Sequence, residues 1–461
     1  MSSSPGHPRR WLILGVICLA QLTVLLDNTV LNVAIPSLTR ELHAATSGIQ
    51  WMINAYSLVQ SGLLLSAGSA ADRYGRKRML IAGLALFGTG SLVAGLAGST
   101  TQLIAARAGM GVGGALLLTT TLAVAMQIFT PEEQPKAIGV WSAVAALGFA
   151  AGPLIGGFVL NHFRWGAIFL INIPVAVLGL VAVAALVPES KNPRGEGPDL
   201  LGALLSTIGM AALVFAIISG PRHGWTSARV LGTAAVAVVV LGAFAWWESR
   251  VAEPMLDVRF FRDQRFMGAV AGAVLITFGM GGALFLLTQH LQFVLGYGPL
   301  EAGLRTAPLA LTVVLLNFTG LSAKWSRRLG TPVSIALGMA LMSLGLVAVG
   351  QWDSGGYGGT LLGLLLIGAG CAVANPAMAH AIMSAIPPER AGVGAGINGT
   401  VAEFGNGLGV AVLGAVLSSS VASGKSLSAG LGAGQMVGAV AVLTGGLLAA
   451  GLLKRAEGKA A

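Results

Sequence analysis

The chain alternates long apolar runs with short polar ones. A membrane-crossing helix needs about 20 mainly apolar residues. Runs of that length lie near residues 11–36, 48–71, 79–98, 102–127, 136–160 and 165–187. A polar stretch from Pro188 to Asp199 follows, then runs near 200–219 and 229–248, then a second polar stretch from Glu248 to Arg265. Six further runs lie near 267–293, 301–322, 331–351, 358–384, 391–418 and 430–453. The weakest are 102–127, which contains Arg107, and 391–418, which contains Glu403. The pattern predicts an all-α integral membrane protein with about 14 transmembrane helices. No cleavable signal peptide is expected, because the apolar stretch that begins at Trp11 runs on towards Pro36.

Composition supports a lipid-facing surface. Of 461 residues, 55% are hydrophobic and 10% charged, against about 25% charged in a typical soluble domain. The 67 glycines would weaken soluble helices, but in a membrane they let helix backbones approach closely. Cys18 and Cys371 both fall inside apolar runs and read as small core residues, not as a disulfide framework.

The net charge of +10 is distributed along the chain in a way that sets orientation. Loops alternate between a basic set and a sparse one. The basic set includes Arg9, Arg10, the Arg73–Arg78 cluster, Lys136, Arg259, Lys324, Arg328 and Arg455. The sparse set is Arg40, Arg164, Arg222, Arg229, Arg305 and Lys425. The tally is 20 against 6, so the basic loops and both termini are expected in the cytoplasm. Basic residues confined to short loops offer no groove or aromatic platform for nucleic acid, and no such partner is expected.

The chain also repeats itself. Ala70 to Arg76 joins runs two and three, and Ala323 to Gly330 joins runs ten and eleven; Gly75 and Gly330 are 255 residues apart. Pro131-Glu132-Glu133 recurs as Pro387-Pro388-Glu389, with Glu133 and Glu389 256 apart. Two loops at nearly one offset predict duplicated six-helix halves. The expected organisation is a cytoplasmic N-terminus 1–10, a six-helix bundle 11–187, a linker with two inserted helices 188–265, a second bundle 266–453 and a tail 454–461. Duplicated halves place a substrate site at their interface near the bilayer midplane.

Several motifs lie on these runs. The second loop reads Gly68-Ser69-Ala70-Ala71-Asp72-Arg73-Tyr74-Gly75-Arg76-Lys77, and the first run ends Leu26-Asp27-Asn28-Thr29-Val30-Leu31-Asn32-Val33-Ala34-Ile35-Pro36. The fourth carries Arg107 with Gly111, Gly113 and Gly114; the fifth carries Gly148, Gly152, Pro153, Gly156 and Gly157; the sixth carries Arg164-Trp165 and Asn172-Ile173-Pro174. Together and in this order they resemble the major facilitator superfamily, in its fourteen-helix drug:proton antiporter branch of quaternary-ammonium and multidrug exporters. Ala70 and Met110 depart from the usual Leu and Gln. The resemblance implies a proton-coupled antiporter that exports small hydrophobic or cationic drugs across the bacterial inner (plasma) membrane. Its partners would be a small-molecule substrate, protons and lipid, and it would work as a monomer, without ATP and without cofactor or metal. A proton-coupled importer of a small metabolite on the same fold is the alternative.

Physical chemistry assigns the motif residues roles with competitors beside them. Gly148, Gly152 and Gly156 share one helix face against which a neighbouring backbone can lie, and Pro153 bends the helix. The resemblance adds a role in export direction to what is otherwise small-residue packing. Asp72 suits a helix N-terminus or an Arg partner. The resemblance makes Gly68, Asp72, Arg73, Gly75, Arg76 and Lys77 a gating loop, against a plain solvated basic loop. In the second copy Arg327 stands where Asp72 aligns.

An ionisable group inside a membrane is costly, faces a cavity and usually has a function. Glu403, near the middle of run thirteen, is the first candidate for the proton site; the competing reading is a neutral Glu bonded across helices. The resemblance places Asp27 and Arg107 in proton coupling, with Arg107 tuning a nearby carboxylate. Against this, Asp27 could simply bond Arg107 or Asn32, and Arg107 could snorkel outward. His290, late in run nine, and Asn32, Asn317 and Asn375 are candidate cavity-lining residues. Related cation exporters often add an acid in helix ten; the stretch Thr306 to Leu321 has none, which favours neutral or monocationic substrates. No catalytic cluster is present. Gly424-Lys425-Ser426 resembles the end of a phosphate-binding loop, but Ser419 stands where its first Gly is required.

Overall fold

The computed structural model describes residues 8–130, 132–191, 197–351, 356–386 and 391–458, and among these the regular structure is entirely helical. Helix α1 (Arg10–Val33) bends at Ala34 instead of running on to residue 36. Pro36 cannot donate to the preceding turn, so it opens a separate short helix, α2 (Ile35–Glu41). Then follow α3 (Thr46–Tyr74), α4 (Arg76–Gly95), α5 (Thr100–Ile128) and α6 (Gln134–His162). The sixth run divides at Ile171 into α7 (Ala167–Leu170) and α8 (Asn172–Leu186), with Pro174 in the first turn of α8, where its missing amide hydrogen is tolerated. A helical hairpin, α9 (Leu200–His223) and α10 (Ala228–Glu248), comes next.

The second half begins with α11 (Gln264–Gln289), which ends in a π-helical turn, His290–Val294. It continues with α12 (Pro299–Phe318), α13 (Leu321–Leu329), α14 (Thr331–Gln351), α15 (Tyr357–Ser384), α16 (Ala391–Ala422) and α17 (Leu427–Gly458). The tenth run therefore ends earlier than 322: left-handed Gly320 breaks it, and α13 follows as a separate amphipathic piece. Ser99, Asp199 and Ser227 cap α5, α9 and α10 by accepting from backbone N–H groups of the first turn.

Twelve helical spans among the described residues are long and apolar enough to cross a membrane. α3, though 29 residues long, is not one of them, because it buries Gln50, Asn54, Ser57, Gln60 and Ser61. α6 also has 29 residues and carries the apolar stretch Lys136–Ala145.

Backbone geometry repeats along with the sequence. Gly75 and Gly330 both terminate a helix at positive φ, +117° and +77°, a region that side chains disfavour. α4 crosses α5 so closely that a Cβ on Gly113 would lie 2.9 Å from Gly83 O. α14 crosses α15 likewise, with a Cβ on Gly338 placed 2.7 Å from Gly370 O. Backbone packed on backbone is how helices adhere without a hydrophobic driving force. The other repeated loop, Pro131 against Pro387, Pro388 and Glu389, has its prolines and second-half acid outside the described residues.

Two cores result. One joins α1, α3, α4, α5, α6, α7 and α8 through residues such as Val24, Met52, Phe87, Met110, Val159, Phe169 and Val183, and reaches Phe285 of α11 and Leu413 of α16. The other joins α11, α12, α14, α15, α16 and α17 through Phe266, Met339, Ile367, Met378 and Val442. α9 lies across the line between them: Met210, Val214 and Ile218 pack on Leu58 of α3 and Ala411 of α16. α10 is outermost, with 11% of its apolar window buried.

Candidate functional site

Four helices bring their few polar side chains to one place. Asp27 and Asn28 are consecutive on α1, and Tyr56 and Ser57 are consecutive on α3. Each pair divides between the same two charged groups, Arg107 of α5 and Glu403 of α16. Asp27 is ion-paired with Arg107, both side chains being 2% exposed or less. Asn28 donates to Glu403 Oε1 at 3.3 Å. Arg107 Cζ lies 4.3 Å from the Tyr56 ring centroid, and Arg107 Nε donates to Met52 O at 3.0 Å. Ser57 lies within hydrogen-bonding reach of Glu403. The guanidinium is thus held by an acid, an aromatic face and a carbonyl, and it points inward instead of snorkelling.

Local sequence explains the convergence. On α5, Arg107, Gly111 and Gly114 share a face. A Cβ on Gly111 would meet Tyr56 O at 2.7 Å, so α5 rests directly on the α3 backbone. On α3, Gln50, Asn54, Ser57 and Ser61 recur at helical spacing and face α16. Gln50 Nε2 donates to Val410 O and Ala411 O at 3.1 and 2.9 Å, and Thr400 Oγ1 donates back to Ser61 O at 3.2 Å. Small residues on α16 admit these contacts: a Cβ on Gly407 would lie 2.6 Å from Asn54 Oδ1. α3 and α16 therefore form a hydrogen-bonded seam between the two cores, with Glu403 on it. Glu403 is intermediate in exposure and its Oε2 has no protein partner, whereas Asp27 is 4% exposed. One acid is locked in a pair, and the other retains an unsatisfied oxygen.

The Gly–Pro run of α6 supports the site from behind. Gly148, Gly152 and Gly156 face α1, against Leu22 and Leu25, Thr29, and Val30 respectively. Pro153 and Gly157 face α12: a Cβ on Gly157 would meet Pro299 O at 2.6 Å, and Gly303 packs on Pro153 O. The neighbouring backbone anticipated from the glycine spacing is thus α1, with α12 on the adjacent face. Gly152→Val is expected to overpack the contact with Thr29 and cost about 1–3 kcal/mol, read as a lower unfolding temperature in detergent. Gly139→Ala, where nothing lies within 4 Å of the added Cβ, should hold or slightly raise that temperature, because Ala favours the helix over Gly.

In the loop at the end of α3, Arg76 Nε and Nη2 donate to Asp72 Oδ1 at 2.9 and 2.8 Å, and Arg76 Nη1 reaches Ala123 O of α5 at 3.3 Å. Asp72 thus takes an Arg partner, not a helix N-terminus. Glu189, just past α8, accepts from Lys77 N at 3.1 Å and lies 3.7 Å from Arg78 Nε, while Lys77 Nζ donates to Ala184 O at 2.7 Å. Gly75 leaves room for that acid: a Cβ there would come within 2.6 Å of Glu189 Oε1. Gly68 lies near Thr119 of α5, and Arg73 reaches towards Gly197.

The remaining candidates fall elsewhere. Asn32 Nδ2 bonds back to Asn28 O at 3.5 Å, and its Oδ1 has no protein partner. His290 lines a small cavity with Leu286, Gly350, Gly432 and Gln435. Asn317 is exposed and accepts from Ser322 Oγ at 2.8 Å, so it closes the end of α12. Asn375 is exposed on α15 beside Pro376. Sequence reasoning missed Asn28, Tyr56, Ser57 and Glu189; the helical recurrence of polar residues along α3 was the available signal for Ser57.

Comparison with known proteins agrees with this architecture. Multidrug resistance protein Stp of Mycobacterium tuberculosis is 37% identical over 396 residues, covering 86% of this chain and 73% of Stp. Methyl viologen resistance protein SmvA of Salmonella typhimurium is 34% identical over 458 residues, covering 98% and 91%. The crystal structure of the peptide transporter POT in complex with alafosfalin matches with a TM-score of 0.72 at 15% identity, over 98% of this chain and 95% of that one, a likeness of fold alone. The Major Facilitator Superfamily model matches residues 17–410, and with relatives this similar over most of their length the chain belongs to that superfamily.

Proposed function

We propose that the chain is a proton-coupled antiporter that exports small hydrophobic or monocationic drugs across the bacterial cytoplasmic membrane. In this reading α3 and α6 join the twelve apolar spans to make fourteen crossings, with the basic loops and both termini in the cytoplasm. Two six-helix bundles, 11–187 and 266–453, rock about the seam, the α9–α10 hairpin is inserted between them, and one copy suffices. The observation that carries the reading is the convergence of Asp27, Arg107 and Glu403 from three helices, α1, α5 and α16, at the line between the cores. Arg107 offsets one acid, so the site can hold a single exchangeable charge at Glu403. A proton and a cationic or polarised substrate then compete for the same oxygens, which is the minimum an exchange cycle needs. The names of Stp and SmvA, multidrug and methyl viologen resistance, support an export role. The absence of an acid between Thr306 and Leu321 leaves a doubly charged substrate one fewer counter-charge, so monocations are the first substrates to test.

Purified protein in liposomes tests this. With an acidic lumen, a lipophilic monocationic dye should accumulate inside through the protein copies whose cytoplasmic face is outward, and an uncoupler should abolish the accumulation. Uptake that ignores both the gradient and the uncoupler would refute proton exchange.

A further inference from the structure

The α9–α10 hairpin closes on two acids. Asp199 caps α9, its Oδ1 accepting from Gly202 N at 2.8 Å, and Glu248 is the last residue of α10. Glu248 is 3% exposed. Its Oε2 accepts from Leu256 N at 2.9 Å, but no donor among the described residues reaches its Oε1. That oxygen turns to Asp199. A Cβ on Gly202 would lie 2.5 Å from both Glu248 Oε1 and Asp199 Oδ2, and the two side chains are within hydrogen-bonding reach of each other. Gly202 lets them meet because it has no side chain.

The donors around the two acids carry no charge. Trp247 Nε1 reaches Asp199 Oδ1 and Oδ2 at 3.1 and 3.0 Å. α3 faces them with Ser66, whose Oγ donates to Asp199 O at 3.0 Å and lies 3.5 Å from Met255 Sδ. The nearby ions are turned elsewhere. Arg250 lies over the Trp246 ring. Arg73 Nη1 and Glu253 Oε2 flank Gly197, and Glu253 Oε2 accepts from Gly197 N at 2.8 Å. Two carboxylates this close, with one of them buried and no cation between them, are not stable as two anions. A carboxyl O–H donating to a carboxylate fits the two facing oxygens and satisfies the orphaned one.

We propose that Asp199 and Glu248 bind one proton between them, and that this proton fastens the segment after α10 to the start of α9 and to α3. The proton stays on one carboxyl, and its O–H donates to the facing oxygen of the other. This site is separate from Glu403, since Ser66 stands more than two turns beyond Ser57 along α3, and it does not depend on the antiport reading. While the proton is held, Glu248 keeps its bond to Leu256 N and Met255 stays against Ser66. As pH rises the proton leaves to water, the two carboxylates repel, and the segment 249–257 comes away from α3.

Trypsin cleavage after Arg250 and Arg259, both exposed, reports this loosening in the purified protein in detergent. Glu248→Gln replaces the shared proton with an amide that donates to Asp199, while its oxygen still accepts from Leu256 N, so it holds the closed form at every pH. Dividing the wild-type rate by the Glu248→Gln rate at the same pH removes the protease's own pH dependence. The ratio should stay within about twofold of one in mildly acidic buffer and reach about tenfold or more in mildly alkaline buffer, tenfold being the effect of one pH unit of coupling between two acids. Asp199→Asn keeps the cap and the carbonyl that Ser66 uses, and should serve equally as the reference. Ser66→Ala should raise cleavage by about threefold in acid as well, through the lost hydrogen bond. Infrared difference spectra between the two buffers, taken in a Glu403→Gln background, should show a protonated-carboxyl band disappear with rising pH. The Glu403→Gln/Glu248→Gln protein should lack that band. A ratio that stays flat with pH against both references, or equal carboxyl bands with and without Glu248, overturns the proton site. Unchanged cleavage of Ser66→Ala overturns the tie to α3.

Discussion

Glu403→Gln is expected to abolish gradient-driven export while leaving the protein folded. Glutamine fills the same volume and can still accept from Asn28, whose Nδ2 lies 3.3 Å from Glu403 Oε1. What it cannot do is lose and regain a proton. Driven efflux should drop below about a tenth of wild type, the behaviour of an intramembrane acid with a direct role. The unfolding temperature should hold or rise, since a neutral amide costs less to bury than a carboxylate whose Oε2 has no protein partner. A neutral structural Glu predicts the reverse: transport kept and stability altered. Drug susceptibility of an efflux-deficient host separates the two, because cells carrying Glu403→Gln should be as sensitive as cells without the protein.

Arg107→Met should be the most destabilising single change in the molecule. Asp27 and Arg107 have side chains 2% and 1% exposed, and breaking a buried pair from one side strands a charge at a cost of about 3–5 kcal/mol. Methionine restores much of the volume, so packing is not the main loss. The double variant Asp27→Asn/Arg107→Met removes the stranded charge and should recover most of the stability, because an apolar replacement of a buried pair is often neutral. Transport should not fully recover, because the Arg107 charge that also acts on Glu403 is gone. Unfolding in detergent and dye efflux, measured side by side, check both halves. A single Arg107→Met variant as stable as wild type would mean that the pair is reached by water.

Much of this was legible in the chain because lipid permits so few polar residues. Each predicted span has a helix, and the three charges that interrupted apolar runs, Asp27, Arg107 and Glu403, converge on one site. The misses share a cause: they depend on which helices meet. Asn28 sits in the same motif as Asp27, but its partner is 375 residues away. Glu189 anchors the loop at Lys77 from 112 residues away. Asn317 looks from sequence like a cavity-lining residue in an apolar run, yet left-handed Gly320 ends the helix there and its carboxamide accepts from Ser322. The bend at Ala34 was within reach, because Pro36 marks it; the length of the apolar run concealed it.

Proton release on substrate binding tests the central assignment most directly. With the detergent-solubilised protein in weak buffer and a pH-sensitive dye, adding a monocationic substrate should acidify the medium by up to one proton per molecule bound, and Glu403→Gln should bind without acidifying. Equal acidification by Glu403→Gln, or none by wild type at saturating substrate, would contradict the account.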